Sequence, residues 1–243
     1  MDADGAGRSV PEVHLKVYTI DQIPLIPMAI ADLNAKNIVI VKETASYEAV
    51  ERMTRILAAE WSNSAYTARR ILTGSQVKSS PVQLTLSRSI HIGKVLRRAV
   101  EPLKATLRET GGFKLFEGVV TSVSRNTVEG FTFTDVKIRG THEYRKRAFE
   151  LRAKNEVLAA YTDQGLAALA PDIITPVHPE TGRCITAERI EKGNRLSILG
   201  IPAPEKWRTT KGLSLWRGVL EKEGIRNGYV AIERLAETST YIL

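Results

Sequence analysis

The sequence predicts an α+β protein, in which a partial α/β segment is followed by a mainly antiparallel β domain. Two observations support this prediction. Strand-like and helical patterns alternate in the first part of the chain, whereas short β-branched and aromatic runs separated by glycine dominate beyond Gly112. We place the boundary after residue 80. Residues 1–80 then form the end of an α/β domain, and residues 81–243 form a connecting helix plus the β domain.

The first segment begins with three predicted strands. Val13 to Thr19 alternates apolar and polar residues, which is the pattern of a half-buried strand. Met28 to Ala31 and Asn37 to Val41 follow, and the second of these runs is apolar enough to be a central strand. Strands followed by a helix indicate an α/β segment.

Two helices follow these strands. Ser46 is a predicted N-cap, and apolar residues recur at helical spacing behind it up to Trp61. A second helical pattern begins after Pro81. Pro102 lies inside this pattern and should kink or split the helix, and Gly111 with Gly112 should end it.

The predicted β domain extends from about Phe113 to Pro204. A short helix or turn is expected at Thr186 to Glu188, and the tail after Trp207 has a mixed pattern. The predicted strands are Gly118 to Val123, Gly130 to Ile138, Ala148 to Ala153, Val157 to Tyr161, Ile173 to Val177 and Leu196 to Leu199.

Composition narrows the protein class. The chain has 243 residues, of which 43% are hydrophobic, so it can bury a substantial core. No apolar run reaches the roughly 18 residues that a membrane span needs, and a single cysteine, Cys184, cannot form an internal disulfide. We therefore expect a cytoplasmic protein that does not bind a membrane.

The positive charge is concentrated in one stretch. The chain carries a net charge of +8, and residues 94–154 contain 14 Lys or Arg against 7 Asp or Glu. Such a stretch could attract nucleic acid. However, no aromatic residues interleave with Arg145, Lys146 and Arg147. A solvated helix face and an exposed loop therefore explain the charge better, and we expect no nucleic-acid partner.

The first twelve residues are the part of the chain richest in chemistry. Gly5 and Gly7 allow a tight turn that brings backbone amides near a ligand, and Asp4, Arg8 and Glu12 supply charges of both signs around it. A plain surface turn would also explain aspartate and glycine here. A calcium loop fits poorly, because the acidic ligands are not correctly spaced.

This run resembles the D-x-D-G-x-G-R-A-x-P-E signature of the S-methyl-thiohydantoin desulfurase-like family, which is associated with hydantoinases and oxoprolinases; Ser9 stands at the usual alanine. Further matches follow in order along the chain. They are the I-P-x-x-P-M step from Ile23, G-F-T from Gly130, the N-E pair Asn155 and Glu156, P-D-I-I from Pro171, E-T-G-x-x-I-T from Glu180, and L-G-x-P-A-P-x-x-W-R-T from Leu199.

In family members the signature lies in the interior, after a glycine-rich N-terminal half that this chain lacks. The chain therefore resembles a truncated, C-terminal portion, and this puts its activity in doubt. The resemblance implies a hydrolase acting on a cyclic amide such as an S-methyl-thiohydantoin or a hydantoin. The rival interpretation is a non-catalytic module that completes or scaffolds a hydantoinase-like enzyme. We also expect a homo-oligomer.

The resemblance and the local chemistry together suggest roles for particular residues. Asp4 or Glu12 would be the base or a metal ligand, and Arg8 would clamp an anion or carbonyl. The cofactor is unknown; a divalent metal could take part, with Asp2 and Asp4 as ligands. We expect Arg8 to be exposed and therefore unimportant for folding. The predicted substrate-binding residues are Gly5, Gly7, Asn155, Glu156, Trp207 and Arg208.

Most of these motifs also have a structural explanation. Trp207 could cap the core with Arg208 laid over it, instead of forming the wall of a pocket. Asn155 and Glu156 are polar neighbours in an apolar stretch, so they need partners. We expect this pair and the N-terminal loop to line one pocket.

Overall fold

The computed structural model describes residues 1–62 and 64–240. The α-helices in this part of the chain are α1 (Val17–Ile20), α2 (Tyr47–Glu60), α3 (Gly74–Ser79), α4 (Thr85–Arg98), α5 (Pro102–Thr110), α6 (Thr210–Lys222) and α7 (Ile232–Thr240). The strands are β1 (Ala3–Asp4), β2 (Met28–Ala31), β3 (Ile38–Val41), β4 (Tyr66–Arg69), β5 (Val82–Gln83), β6 (Phe113–Val128), β7 (Phe131–Gly140), β8 (Ala148–Lys154), β9 (Glu156–Thr162), β10 (Gly165–Leu169), β11 (Ile173–Val177) and β12 (Arg195–Ile201).

A seven-stranded antiparallel sheet forms the β domain. Its strand order is β10-β9-β8-β7-β6-β12-β11. The sheet curls, so that β9 and β10 also approach β11 at the opposite edge. Every strand predicted between Gly118 and Leu199 overlaps one of these strands. The structure is therefore of the α+β class, as predicted.

Strand β10 was not predicted from the sequence. Its residues, Gly165 to Leu169, are mostly glycine, alanine and leucine, which have low strand propensity. Pairing with β9 imposes the extended conformation.

Two apolar clusters hold this part of the chain together. The first lies on the sheet and includes the stacked rings of Phe116 and Phe149, whose centroids are 4.7 Å apart. The second joins the N-terminal loop and α1 to α6, and Trp207 and Trp216 are fully buried in it. The N-terminal segment therefore packs directly against elements that lie 200 residues later in the chain.

A separate three-stranded antiparallel sheet has the order β3-β2-β4. The prediction of strands at Met28 to Ala31 and near Asn37 to Val41 is confirmed. The prediction that the second run is central is wrong. It lies at the edge of the sheet, and Ile38 and Ile40 are 59% and 64% exposed. The apolar run correctly predicted a strand here, but it did not predict whether that strand is central or at the edge of the sheet.

The predicted strand at Val13 to Thr19 is wrong. This segment makes local turns, in which the Leu15 amide donates to the Glu12 carbonyl, and then enters helix α1. Its apolar residues Leu15 and Val17 are buried, but so is His14 between them. The alternation of polar and apolar residues predicts a strand with one buried face. Here both faces of the segment are covered, so the pattern did not correspond to a strand.

The predicted helix signals are confirmed. The Ser46 hydroxyl accepts from the Ala49 amide at the start of α2. Pro102 is the first residue of α5 and separates it from α4, and Gly111 ends α5 with φ of +65°. No residue of helix α4 is fully buried. In the predicted turn at Thr186 to Glu188, a short 3₁₀ helix spans Ala187–Arg189.

No helix among residues 1–62 and 64–240 is long and apolar enough to cross a membrane.

Candidate functional site

The N-terminal loop is held in a tight turn by Asp4. Asp4 Oδ1 accepts from the amides of Ala6 at 2.6 Å and Gly7 at 2.7 Å. Both glycines are required for packing. A Cβ atom at Gly5 would lie 2.5 Å from the Tyr18 ring, and one at Gly7 would lie 2.8 Å from Pro204. Gly7 also has φ of +65°. The glycines therefore serve close backbone packing here.

Asp2 caps a helix that is distant in sequence. Its Oδ1 accepts from the amides of Leu86 at 2.8 Å and Ser87 at 3.2 Å, in the first turn of α4. The hydrogen bonds with Ser87 lower the pKa of the Asp2 carboxyl. Residue Leu84, at the N-cap position, makes no side-chain cap. Among the described residues, no group of three His, Cys, Asp or Glu side chains could hold a metal ion.

Arg8 is directed into the protein, so the expectation of an exposed Arg8 is wrong. Its Nη1 donates to the carbonyls of Pro171 and, at 3.1 Å, of Asp172. Its guanidinium carbon lies 4.5 Å from the centre of the Trp216 ring. Burial lowers the pKa of Arg8 to about 10, although Glu156 and Asp172 oppose this shift. Arg8 therefore remains a cation at neutral pH.

Ser9 connects the loop to the start of β9. Its Oγ donates to Glu156 Oε1 at 2.6 Å, and this hydrogen bond is exposed. Glu156 is half-buried and close enough to Arg8 to stabilise the arginine charge. The structure thus brings together the N-terminal loop and the carboxylate of the Asn155–Glu156 pair.

Asn155 itself shapes the chain. It has φ of +57° in the connection between β8 and β9. Its side-chain oxygen accepts from the Thr132 amide at 2.8 Å, and its own amide donates to the Thr132 carbonyl at 2.8 Å. Asparagine tolerates this left-handed conformation better than most residues.

Glu12 belongs to a buried network. It is 7% exposed, and its Oε1 lies 2.7 Å from Lys154 Nζ. Lys154 also contacts Glu223 Oε1 at 2.9 Å, and His14 Nδ1 lies 3.4 Å from Glu12 Oε2. Burial disfavours the charge of Lys154, but hydrogen bonds with the two glutamates outweigh burial and raise its pKa. A carboxylate held in this way is poorly placed to meet substrate.

Trp207 and Arg208 also have contacts within the protein. Trp207 is fully buried and its Nε1 donates to the Ala6 carbonyl at 2.7 Å. Arg208 binds Asp172 Oδ1 at 2.6 Å and Glu233 Oε1 at 2.7 Å. Burial disfavours the charge of Arg208, but these two carboxylates outweigh burial and raise its pKa.

Asp172 is an organising residue for which sequence reasoning predicted no partners. It is fully buried and accepts from the Arg208 guanidinium, the Ala203 and Ile232 amides and the Tyr229 hydroxyl. The only signal was its place in the P-D-I-I run that resembles the family pattern. Its four partners lie 31 to 60 residues away in the chain, so no local pattern could show them.

A cleft of about 350 Å³ also borders this region. Trp216 and Pro171, which both contact Arg8, line it together with Arg217 and Tyr229. None of these four was among the predicted site residues. Most of the residues that line the cleft lie in the tail after Trp207, whose sequence pattern is mixed.

The fold and these contacts define an α+β protein whose N-terminal loop is clamped onto the β domain. Comparison with known families then identifies it. The model for the S-Me-THD-like C-terminal domain matches residues 45–218, and the chain belongs to this family. The N-terminal loop lies outside the matched range.

A solved structure has a similar fold. It is a crystal structure of a protein from Chromobacterium violaceum, with a TM-score of 0.78 and 21% sequence identity. The similarity covers 95% of this chain but 66% of the other protein, so this chain spans about two thirds of that length. No curated protein matches the chain.

Proposed function

We propose that this chain is part of a hydrolase that acts on a cyclic amide such as an S-methyl-thiohydantoin or a hydantoin, with Glu156 as the base that activates water. The observation that carries the proposal is the exposed hydrogen bond of 2.6 Å from Ser9 Oγ to Glu156 Oε1, next to the Arg8 cation. Membership of the S-Me-THD-like family supports the substrate class.

The chemistry assigns a step to each group. Glu156 removes a proton from water as the water oxygen attacks the amidine-like ring carbon that carries the alkylthio group. The carbon–sulfur bond then breaks, the proton passes from Glu156 to the departing thiolate, and the remaining hydroxyl proton moves to the ring nitrogen. The products are a hydantoin and a thiol. The Arg8 charge stabilises the negative charge that develops on the ring during attack.

Glu156 fits the role of base better than Asp4 or Glu12. Glu12 is buried against Lys154, and Asp4 uses one oxygen to hold the loop amides. Glu156 is half-buried, and its hydrogen-bond partner Ser9 is exposed. Water can therefore reach this carboxylate while the serine hydroxyl orients it.

The test measures thiol release from an S-methyl-thiohydantoin. It uses this chain and a version extended to the length of the Chromobacterium protein. We expect Glu156→Gln to lower turnover about 10²- to 10⁴-fold, the usual contribution of a general base, with unfolding unchanged. Glu188→Gln is the matched control, because Glu188 is an exposed carboxylate on the same domain. If Asp4→Asn abolishes turnover while Glu156→Gln does not, the proposed base is wrong.

Arg8 needs a separate prediction because it is engaged inside the protein. Arg8→Ala removes the donor to the Pro171 and Asp172 carbonyls and the cation over Trp216. We expect the free energy of unfolding to fall by about 1–3 kcal/mol, the cost of leaving buried acceptors unpaired. Urea titration measures this. An unchanged urea midpoint with lost turnover would instead indicate a purely catalytic arginine.

A second candidate function is a non-catalytic module that completes a hydantoinase-like enzyme. Two observations favour it. No residue of helix α4 is fully buried, and strand β3 presents exposed apolar residues at a sheet edge. If the extended chain turns over no hydantoin-like ring but co-sediments with a hydantoinase-like subunit, this candidate replaces the first.

A further inference from the structure

Three cationic side chains lie behind the N-terminal loop. Lys16 precedes α1, Arg69 ends β4, and Arg70 follows Arg69 directly. Among the described residues, no carboxylate lies within ion-pair distance of any of them. Buried or half-buried cations normally have a paired anion, so this arrangement requires an explanation.

Arg70 is the most deeply placed of the three. It is 5% exposed, and its guanidinium donates from Nη1 to the Ile23 carbonyl at 2.5 Å and from Nη2 to Thr19 Oγ1 at 2.6 Å. These acceptors are neutral. Its Nε is buried and has no hydrogen-bond partner among the described residues. Leaving a donor of a buried cation unpaired is costly, and such groups are rare in folded proteins.

Arg69 repeats the same feature. Its Nη1 is also buried without a hydrogen-bond partner in the described part of the chain. The three charges interact with one another. Burial lowers the pKa of Lys16, and Arg69 and Arg70 lower it further, while Asp4 opposes them.

The two carboxylates that act electrostatically on this cluster are already engaged. Asp4 holds the loop amides of Ala6 and Gly7. Glu51, which acts on Arg69 electrostatically, binds Arg55 through Oε1 and the Val13 amide through Oε2. Neither carboxylate accepts a hydrogen bond from Arg69 Nη1 or Arg70 Nε. The cluster therefore combines positive charge that has no ion-pair partner with guanidinium N–H groups that have no hydrogen-bond acceptor among the described residues.

We propose that Lys16, Arg69 and Arg70 form a binding site for a small oxyanion, the carboxylate or phosphate group of a ligand. The Arg70 Nε and Arg69 Nη1 would donate to the oxygens, because a guanidinium fork matches the geometry of both groups. Lys16 would add a third donor from the half-exposed side. This site is separate from Glu156, so it does not depend on the proposed hydrolytic role.

Nuclear magnetic resonance can observe the arginine Nε–H groups directly. The Nε–H signals of Arg69 and Arg70 are followed while inorganic phosphate or acetate is added at constant ionic strength, with chloride as the reference anion. Arg69→Lys and Arg70→Lys assign the signals, because lysine has no Nε–H. We expect saturable shifts with phosphate, acetate or both, and none with chloride. The anion that saturates identifies a phosphate-bearing or a carboxylate-bearing ligand.

A matched pair of variants tests specificity. Lys16→Gln should weaken the anion affinity about tenfold or more, the effect of losing one charge-assisted hydrogen bond. Lys36→Gln, at an exposed lysine, should leave it unchanged. Because Lys16 makes no side-chain hydrogen bond in the described structure, its variant should fold even if an Arg70 variant does not. Equal affinities in the wild type and Lys16→Gln, or equal shifts with chloride, would overturn the proposal.

Discussion

The two parts of this chain differ in how well they cover their apolar surface. Beyond residue 112, the large apolar side chains lie in cores, and Val128 is the one large hydrophobic there that is exposed among the described residues. Before residue 112, many are exposed, among them Ile40, Ile56 and Ile71 at 64%, 69% and 78%. The first part has only a small apolar cluster of its own, around Met28 and Ile30, and leaves more apolar surface uncovered than the β domain does.

Several contacts between the two parts come from the first twenty residues. Trp207 binds the Ala6 carbonyl, Lys154 binds Glu12, and Arg8 binds the carbonyls at the start of β11. The N-terminal motif therefore joins the two parts of the chain. The difference shows that a segment can be rich in chemistry and still serve mainly to hold a structure together.

The largest expected effect comes from removing the centre of that junction. Trp207→Ala should lower the free energy of unfolding by about 3–5 kcal/mol, because it empties a fully buried site and leaves the Ala6 carbonyl unpaired. Ile40→Ala, in the open sheet, should change it by less than about 0.5 kcal/mol. Urea unfolding followed by circular dichroism measures both. Similar decreases in the free energy of unfolding of the two variants would contradict the difference in burial that we describe between the two regions.

A smaller effect concerns pH. His14 is buried against Tyr47, with its ring centroid 5.7 Å away, and burial lowers its pKa although Glu12 opposes the shift. A histidine whose folded pKa is lowered takes up a proton more readily when unfolded. It therefore stabilises the fold above the pKa of about 6.5 of an unfolded histidine, and this contribution is lost as pH falls below it.

Variants isolate this contribution. The slope of unfolding free energy against pH between pH 7 and 5 should flatten in His14→Asn and stay unchanged in His142→Asn, where the histidine side chain is 64% exposed. An unchanged slope in His14→Asn would show that other groups cause the pH dependence.

Sequence patterns predicted the fold where its causes are local. The Ser46 cap, the break at Pro102 and the αL residue at Gly111 depend on near neighbours, and all three are present. The strands of the β domain follow β-branched and aromatic runs. The predictions were wrong where contacts with distant residues determine the structure, as at Val13 to Thr19 and at the edge strand β3.

The candidate site was predictable only in part. We expected the N-terminal loop and the Asn155–Glu156 pair to line one pocket, and in the structure Ser9 of that loop contacts Glu156. The same motif could not show that Glu12 pairs with Lys154, because 142 residues separate them. The cluster of Lys16, Arg69 and Arg70 could not be predicted from the sequence. Two adjacent arginines do not indicate that their side-chain N–H groups have no hydrogen-bond partners in the fold. The domain boundary after residue 80 stays a prediction.

Native-state hydrogen exchange tests the central claim most directly, because it reports the opening free energy of each segment. We expect the amides of β6 to β9 to exchange only on global unfolding. Those of β2 to β4 and α4 should exchange through local opening, with free energies lower by several kcal/mol. Uniform protection across both parts would contradict the claim that the β domain covers its apolar surface more completely than the first part does.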